Sequence, residues 1–387
     1  MIPRAAVQEA LARYDTRKLT VGAIGSHSAL DVADGAADEG FRTLVVAQQG
    51  REKTYARYFK AQRDAHGKLL RGAIDECMVL PRFGDVVQDA RQQHLLDRST
   101  IWVPNRSFTV YCGIDNVEDK WRVPIFGNRG MLRTEERTEQ RDYYWLLEKA
   151  GLPFPEKIND PRDINELVIV KLHHAKKKLE RGFFTAASYQ EYQEKSGELL
   201  SQGVIDQESL DKARIERYVI GPVFNFNFFH SPLAARHGEE PLELLGVDWR
   251  FESSLDGHVR LPAAQQLTLQ GKQKIPEMTV VGHNTATVRE SLLEDAFALG
   301  EKFVAAAKEH YAPGVIGPFC LQTCVDKDMK FYIYDVAPRI GGGTNVHVGV
   351  GHPYGNATWR RPMSTGRRIA MEIRRGAEEG RLAELVT

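Results

Sequence analysis

Two polar turns carry side chains that could do chemistry, and each follows an apolar run of strand length. Gly25-Ser26-His27-Ser28 comes directly after the run 19–24. Backbone N–H groups at a helix start, two hydroxyls and an imidazole suit an anion at the carboxyl end of a strand. The plainer reading is a capped helix with a solvent-facing His27. Pro104-Asn105-Arg106-Ser107-Phe108 follows the run 99–103 in the same way. Ser107 either caps the next helix or binds a ligand. Two such turns at neighbouring strand ends would converge on one edge of a parallel sheet, which favours binding for both.

Two further groups lie later in the chain. Lys171 ends the run Val168-Ile169-Val170 and precedes a basic stretch with Lys176, Lys177 and Lys178, then Gly182. A lysine on a strand before a basic loop suits polyphosphate oxygens, whereas Lys177 and Lys178 read as a solvated charge run. Asp335-Val336-Ala337-Pro338-Arg339 follows Gln322 by thirteen residues, and period two puts Asp335 and Arg339 on one inward side of a strand. A carboxylate beside a guanidinium suits a magnesium-bound phosphate; the alternative is a structural ion pair. Cys320 and Cys324 have poor zinc spacing and read as core thiols, and His173 and His174 lack partners at helical spacing.

The elements that must hold these groups alternate in the first third of the chain: strand 19–24, an amphipathic helix through Ala29, Leu30, Val32, Ala33, Ala36 and Ala37, strand 41–47, strand 99–103. Ser28 and Asp31 have capping-box spacing, which sets the helix start just after His27. This pattern predicts an α/β layer with a parallel sheet. Further on, the spacing predicts a charged helix over 134–150 stopped by Gly151 and Pro153, strands at 168–172, 218–220, 224–229 and 331–336, and a long helix over 291–310. Lys plus Arg and Asp plus Glu are 52 each, so bulk charge gives no sign of a nucleic-acid partner. No apolar run reaches the roughly 18–20 residues of a membrane span, and four scattered cysteines in 387 residues fit reduced thiols in cytosol.

In order, these segments resemble an ATP-grasp ligase, and within that superfamily the PurP-type 5-formaminoimidazole-4-carboxamide ribonucleotide synthetases. The most specific pieces are Gly25-Ser26-His27-Ser28, Val123-Pro124-Ile125-Phe126-Gly127-Asn128-Arg129, Gly246-Val247-Asp248-Trp249-Arg250, Ile316-Gly317-Pro318-Phe319-Cys320-Leu321 and Pro362-Met363-Ser364-Thr365-Gly366-Arg367-Arg368. The resemblance implies a Rossmann-like pre-ATP-grasp domain over 1–122, a nucleotide-clamping subdomain over 123–220 and a C-terminal subdomain over 221–387 with the metal and phosphate site. It also implies a cytoplasmic, homo-oligomeric ligase that uses ATP with Mg2+, or Mn2+ in its place. Formate and the aminoimidazole carboxamide ribonucleotide would be the substrates, with no nucleic-acid or membrane partner.

By the same resemblance, His27, Ser107 and Asn284 would contact the imidazole nucleotide. Lys171 and Lys176 would hold ATP phosphates, while Glu216 with the Tyr218–Val219 backbone would receive adenine. Gln322 and Asp335 would lie at the metal and Arg339 on phosphate. Where the family pattern has Glu at both metal positions, this chain has a neutral amide and a shorter acid. Two other readings stay open on the residues: a paralogous ligase with another acid or amine, and a nucleotide-binding but inactive partner subunit, which Gln322 suggests.

Overall fold

The computed structural model describes every residue except 137–138, 173–182 and 269–278. Its first layer is a parallel sheet of strands β1 (Thr20–Ile24), β2 (Arg42–Gln48), β3 (Glu76–Leu80) and β4 (Thr100–Trp102), in the order β3-β2-β1-β4. β1 is buried along its whole length, as a central parallel strand covered on both faces must be. The helix Ala29–Asp38 follows β1 as the apolar stripe predicts. The capping box does not form: Ser28 makes no side-chain cap, and the Asp31 amide instead donates to Asn345 Oδ1 at 3.1 Å.

A small antiparallel sheet holds β5 (Lys157–Ile158), β6 (Val168–Lys171), β7 (Phe183–Ala186) and β8 (Arg214–Arg217), ordered β5-β8-β6-β7. The large antiparallel sheet holds β9 (Val223–His230), β10 (Leu242–Glu252), β11 (Val280–Thr285), β12 (Gly317–Val325) and β13 (Phe331–Ala337), ordered β11-β10-β9-β12-β13. β9 shows why this sheet has two chemistries. Phe224, Phe226 and Phe228 alternate with Asn225 and Asn227, so one face is aromatic and the other polar. On the apolar side Phe228 and Phe303 each stack on Phe319, with ring centroids 5.3 Å apart in both pairs. Phe303 belongs to the long helix Leu293–His310, which covers that face with Ala296, Leu299 and Ala307.

Two expected elements differ. In place of a continuous helix over 134–150, a single turn at Arg133–Glu135 is followed by the short helix Tyr143–Lys149, capped where Asp142 accepts from the Trp145 amide at 2.9 Å. The charges there serve tertiary pairs instead of a helix face: Arg133 reaches Glu118 at 2.8 Å and Glu135 reaches Arg339 at 2.7 Å. Residues 218–220 form no strand. β8 stops at Arg217, and the next three residues lead to Gly221, whose backbone lies so close to the Val325 carbonyl that a Cβ there would stand 1.8 Å from it.

The C-terminal helix Thr365–Glu378 packs back on Ala29–Asp38. Glycines make the close approach: a Cβ on Gly35 would meet the Arg367 amide at 2.0 Å, and one on Gly366 the Asp31 carbonyl at 1.9 Å. The polar face of the large sheet is thereby held against the carboxyl ends of β1 and β4.

Candidate active site

The register of the large sheet lines up one polar row. Asp248 on β10 pairs with Asn225 on β9, Asn225 with Gln322 on β12, and Gln322 with Asp335 on β13. Asp248 is fully buried and accepts from Asn225 Nδ2 at 2.8 Å and Asn227 Nδ2 at 2.7 Å. Burial still outweighs those bonds and pushes its carboxyl up to about 6. Two residues along β10, Arg250 projects from the same face and donates through Nη2 to Gln322 Oε1. Its register partner on β11 is His283, whose Nε2 lies 4.0 Å from Asp248 Oδ2.

The parallel sheet supplies the opposite wall. The loop Gly341-Gly342-Gly343 runs so tightly between the two that a Cβ on Gly342 would stand 2.9 Å from His27 Nε2, and one on Gly343 2.0 Å from Asp248 Oδ2. Asn345 Nδ2 donates to the His27 carbonyl at 2.8 Å. His27 itself has a left-handed backbone, φ 59°. Its imidazole is held well below the usual histidine range, first by burial and then by the positive field of Arg339, His283, Arg250 and Arg106. Burial, followed by the field of Arg250, likewise lowers His283 to about 4. Two neutral imidazoles thus lie within the field of several guanidinium groups, a setting for an anion.

Lys171 reaches the same place from the small sheet. Its Nζ donates to Tyr144 Oη at 2.7 Å and to the Tyr334 carbonyl at 3.2 Å, one residue before Asp335. It also pairs with Glu216 Oε2 at 2.5 Å. The other oxygen of Glu216 takes Arg214, whose guanidinium lies 3.7 Å from the centre of the Tyr144 ring. Burial raises the Glu216 carboxyl, but the two cations outweigh it and hold it below the usual range.

The structure thus brings His27, Lys171, Gln322, Asp335 and Arg339 toward one site and changes the reading of several others. Asn284 pairs with Trp249, not with a residue of the polar row, so it lies on the opposite face, exposed, with Oδ1 turned to the Thr285 amide. Its neighbour His283 is the one that faces the site. Arg339 does not continue the alternation of Asp335: β13 ends at Ala337 before Pro338, and Nε, Nη1 and Nη2 of Arg339 bond Glu135, the Ile340 carbonyl and Glu135 again. Glu216 turns inward to Lys171 and Arg214, while Tyr218 and Val219 stay half-buried in the connection after β8. Ser107 is buried and is not the helix cap. Asn105 fills that role, accepting from the Phe108 amide at 3.1 Å while donating to the carbonyls of Ile24 and Ser26. Lys176 lies outside the described residues.

Sequence reasoning missed Arg250, His283, Asp248 and Arg106 as site residues. For two of them a signal exists, because period two along Gly246-Val247-Asp248-Trp249-Arg250 puts Asp248 and Arg250 on one face. As a metal position, Asp335 offers a hard oxygen that fits a divalent cation shared with nucleotide phosphates, and Gln322 beside it would add its amide oxygen only on turning from Arg250. They do not make a metal site of protein groups alone: among the described residues no cluster of three His, Cys, Asp or Glu could hold an ion. Among the same residues no helix is long and apolar enough to cross a membrane.

Residues 21–158 match a family model described as a protein of unknown function (DUF1246), and residues 191–387 one described as a domain of unknown function (DUF1297). The chain is 39% identical to the 5-formaminoimidazole-4-carboxamide-1-(beta)-D-ribofuranosyl 5'-monophosphate synthetase of Methanobrevibacter smithii, over 98% of this chain and 97% of that one. In structure it is similar to an IMP biosynthesis protein PurP from Thermococcus kodakaraensis, with a TM-score of 0.69, 31% identity and coverage of 95% of this chain and 100% of that one. It also resembles N5-carboxyaminoimidazole synthetase from Staphylococcus aureus complexed with ADP, at a TM-score of 0.55 and 12% identity over 93% of this chain and 79% of that one. That last likeness concerns the fold, which is ATP-grasp.

Proposed function

The chain belongs to the family of 5-formaminoimidazole-4-carboxamide-1-(beta)-D-ribofuranosyl 5'-monophosphate synthetases, and from that premise we propose that it is an ATP-dependent ligase. It joins formate to 5-aminoimidazole-4-carboxamide ribonucleotide and gives the formamide, ADP and phosphate in IMP biosynthesis. The observation that carries this reading is the end-to-end identity, 39% over nearly the whole of both chains.

A formate oxygen attacks the γ-phosphorus of ATP, and the bond to the bridging oxygen breaks with its electron pair left on ADP. The exocyclic amine then attacks the carbon of the formyl phosphate. The C–O bond breaks with its pair on phosphate, which also takes the amine proton. Charge builds on phosphoryl oxygens in the first step, so catalysis there is positioning and electrostatic stabilisation. Lys171 supplies one such charge at the nucleotide end. His27 and His283, both neutral, flank the planar imidazole, and the buried Ser107 lies at the turn beside His27. The Tyr218–Val219 backbone receives adenine. Gln322 and Asp335 would hold Mg2+ or Mn2+, which when bound with the nucleotide neutralises phosphate oxygens. Self-association into a homo-oligomer belongs to the same proposal and is read by sedimentation.

The test is turnover with a panel of acids and amines. Phosphate release that requires both formate and the imidazole nucleotide supports the reading, and release with a different pair replaces it.

A further inference from the structure

The turn that carries His27 is capped from a distant part of the chain. The first turn of a helix leaves its amides without helical acceptors, and a serine just before it commonly supplies one. Ser28 stands in that place ahead of the helix Ala29–Asp38 but makes no cap, with φ −95° and ψ 18° in place of an extended backbone. Its Oγ lies 3.4 Å from His27 Nδ1 instead. The acceptor comes from Asn345, whose Oδ1 takes the Asp31 amide at 3.1 Å across 314 positions of sequence.

The other half of the Asn345 side chain is also engaged. Its Nδ2 donates to the His27 carbonyl at 2.8 Å. An N–H meets only Oδ1 and a carbonyl only Nδ2, so these partners fix the amide in one orientation. The bond to the carbonyl holds the peptide plane after His27, whose φ of 59° is costly for a residue with a Cβ. In the same loop Gly342 bounds the ring, because a Cβ there would stand 2.9 Å from His27 Nε2. Backbone and imidazole of His27 are thus both set by the loop that follows Asp335 and Arg339.

We propose that Asn345 is a positioning residue for the imidazole-nucleotide end of the site, acting through His27. By taking over the helix cap it leaves the Ser28 hydroxyl beside the His27 ring, and by holding the His27 carbonyl it keeps the left-handed backbone that aims the imidazole before the ligand arrives. The proposal rests on the ligase reading for the ligand at His27, but not for the geometry of the clamp.

The experiment compares the full chain with Asn345→Asp and Asn345→Ala. Aspartate keeps an acceptor for the Asp31 amide and suits a helix start, but it sets an oxygen against the His27 carbonyl. Asn345→Asp should therefore keep a denaturation midpoint near the parent's, while Asn345→Ala, which loses both bonds, should fall below it. In both variants 5-aminoimidazole-4-carboxamide ribonucleotide, titrated by calorimetry, should bind about tenfold more weakly, with ATP affinity within about threefold of the parent's. In the histidine-labelled chain the ring signals of His27, identified by their loss in His27→Gln, should shift in Asn345→Asp. Those of the half-exposed His94 and His237 should stay in place. Ribonucleotide binding unchanged in the folded variants, or an equal loss for ATP, overturns the proposal, and so does an unmoved His27 signal. Should Asn345→Asp fail to fold, Asn345→Ala decides on the same readouts. If the unaltered chain does not bind the ribonucleotide, the ligase reading falls and the His27 signal alone decides on Asn345.

Discussion

Lys171 Nζ and Glu216 Oε2 stand 2.5 Å apart with both side chains buried, and Arg214 closes on the other oxygen of the same carboxylate. Lys171, which we place at the nucleotide phosphates, is therefore also half of a buried ion pair that joins β6 to β8. The two roles separate by mutation. Lys171→Met leaves a buried carboxylate with one partner fewer and should cost about 3 kcal/mol of stability, whereas Lys171→Met with Glu216→Gln should recover most of it. ATP affinity should stay low in both, since each lacks the cation. Denaturant titration and calorimetry read the two effects, and ATP affinity restored in the double variant would remove Lys171 from the phosphate site.

The two faces of β11 give a second expectation. His283→Ala should raise the KM for the imidazole nucleotide by about tenfold, the scale of one lost polar contact, with little change for ATP. Asn284→Ala, on the far face, should leave both constants near the parent's. The reverse pattern would show that β11 meets the substrate with its other side.

That reversal also shows where the sequence stops informing. Both strand-end turns, the parallel layer, β6 with Lys171 and the long helix 291–310 follow from apolar periodicity and turn residues alone. Asn284 and His283 differ by one position, and only the pairing of β11 with Trp249 and Arg250 decides which faces the site. Periodicity within a strand cannot supply that, because it depends on a partner in another segment. Arg339 failed for a related reason: alternation holds only as far as the strand does, and β13 ends at Ala337. The charged run 134–150 looked helical because each residue suits a helix, yet Arg133 and Glu135 find better partners in distant segments.

The helix contact at Gly35 and Gly366 buries Asp31, and burial pushes its carboxyl from 3.8 up to about 6. A folded value above the unfolded one contributes stability that is fully present below pH 3.8 and lost as pH rises through about 6. Asp31→Asn lacks this dependence. Its stability relative to the parent should therefore rise by about 2 kcal/mol between about pH 4 and about pH 7. Denaturant unfolding at several pH values checks this, and a difference that stays flat across that window contradicts it.

With a single carboxylate, Asp335, at the proposed metal position, divalent-cation binding should lean on the nucleotide. Mn2+ titrated by electron paramagnetic resonance should bind at least about tenfold more tightly with ADP present than without it. Asp335→Asn should abolish that increment, because it leaves no charged oxygen at either position. An increment that survives in Asp335→Asn would move the metal elsewhere.

The most direct measurement of the central claim follows isotopically labelled formate by NMR in a mixture of the chain, ATP, a divalent cation and the aminoimidazole carboxamide ribonucleotide. A labelled formamide should appear in equimolar step with ADP and phosphate, and none should form when formate or the ribonucleotide is left out. ADP that forms without labelled formamide, or only once another acid is supplied, would contradict that claim.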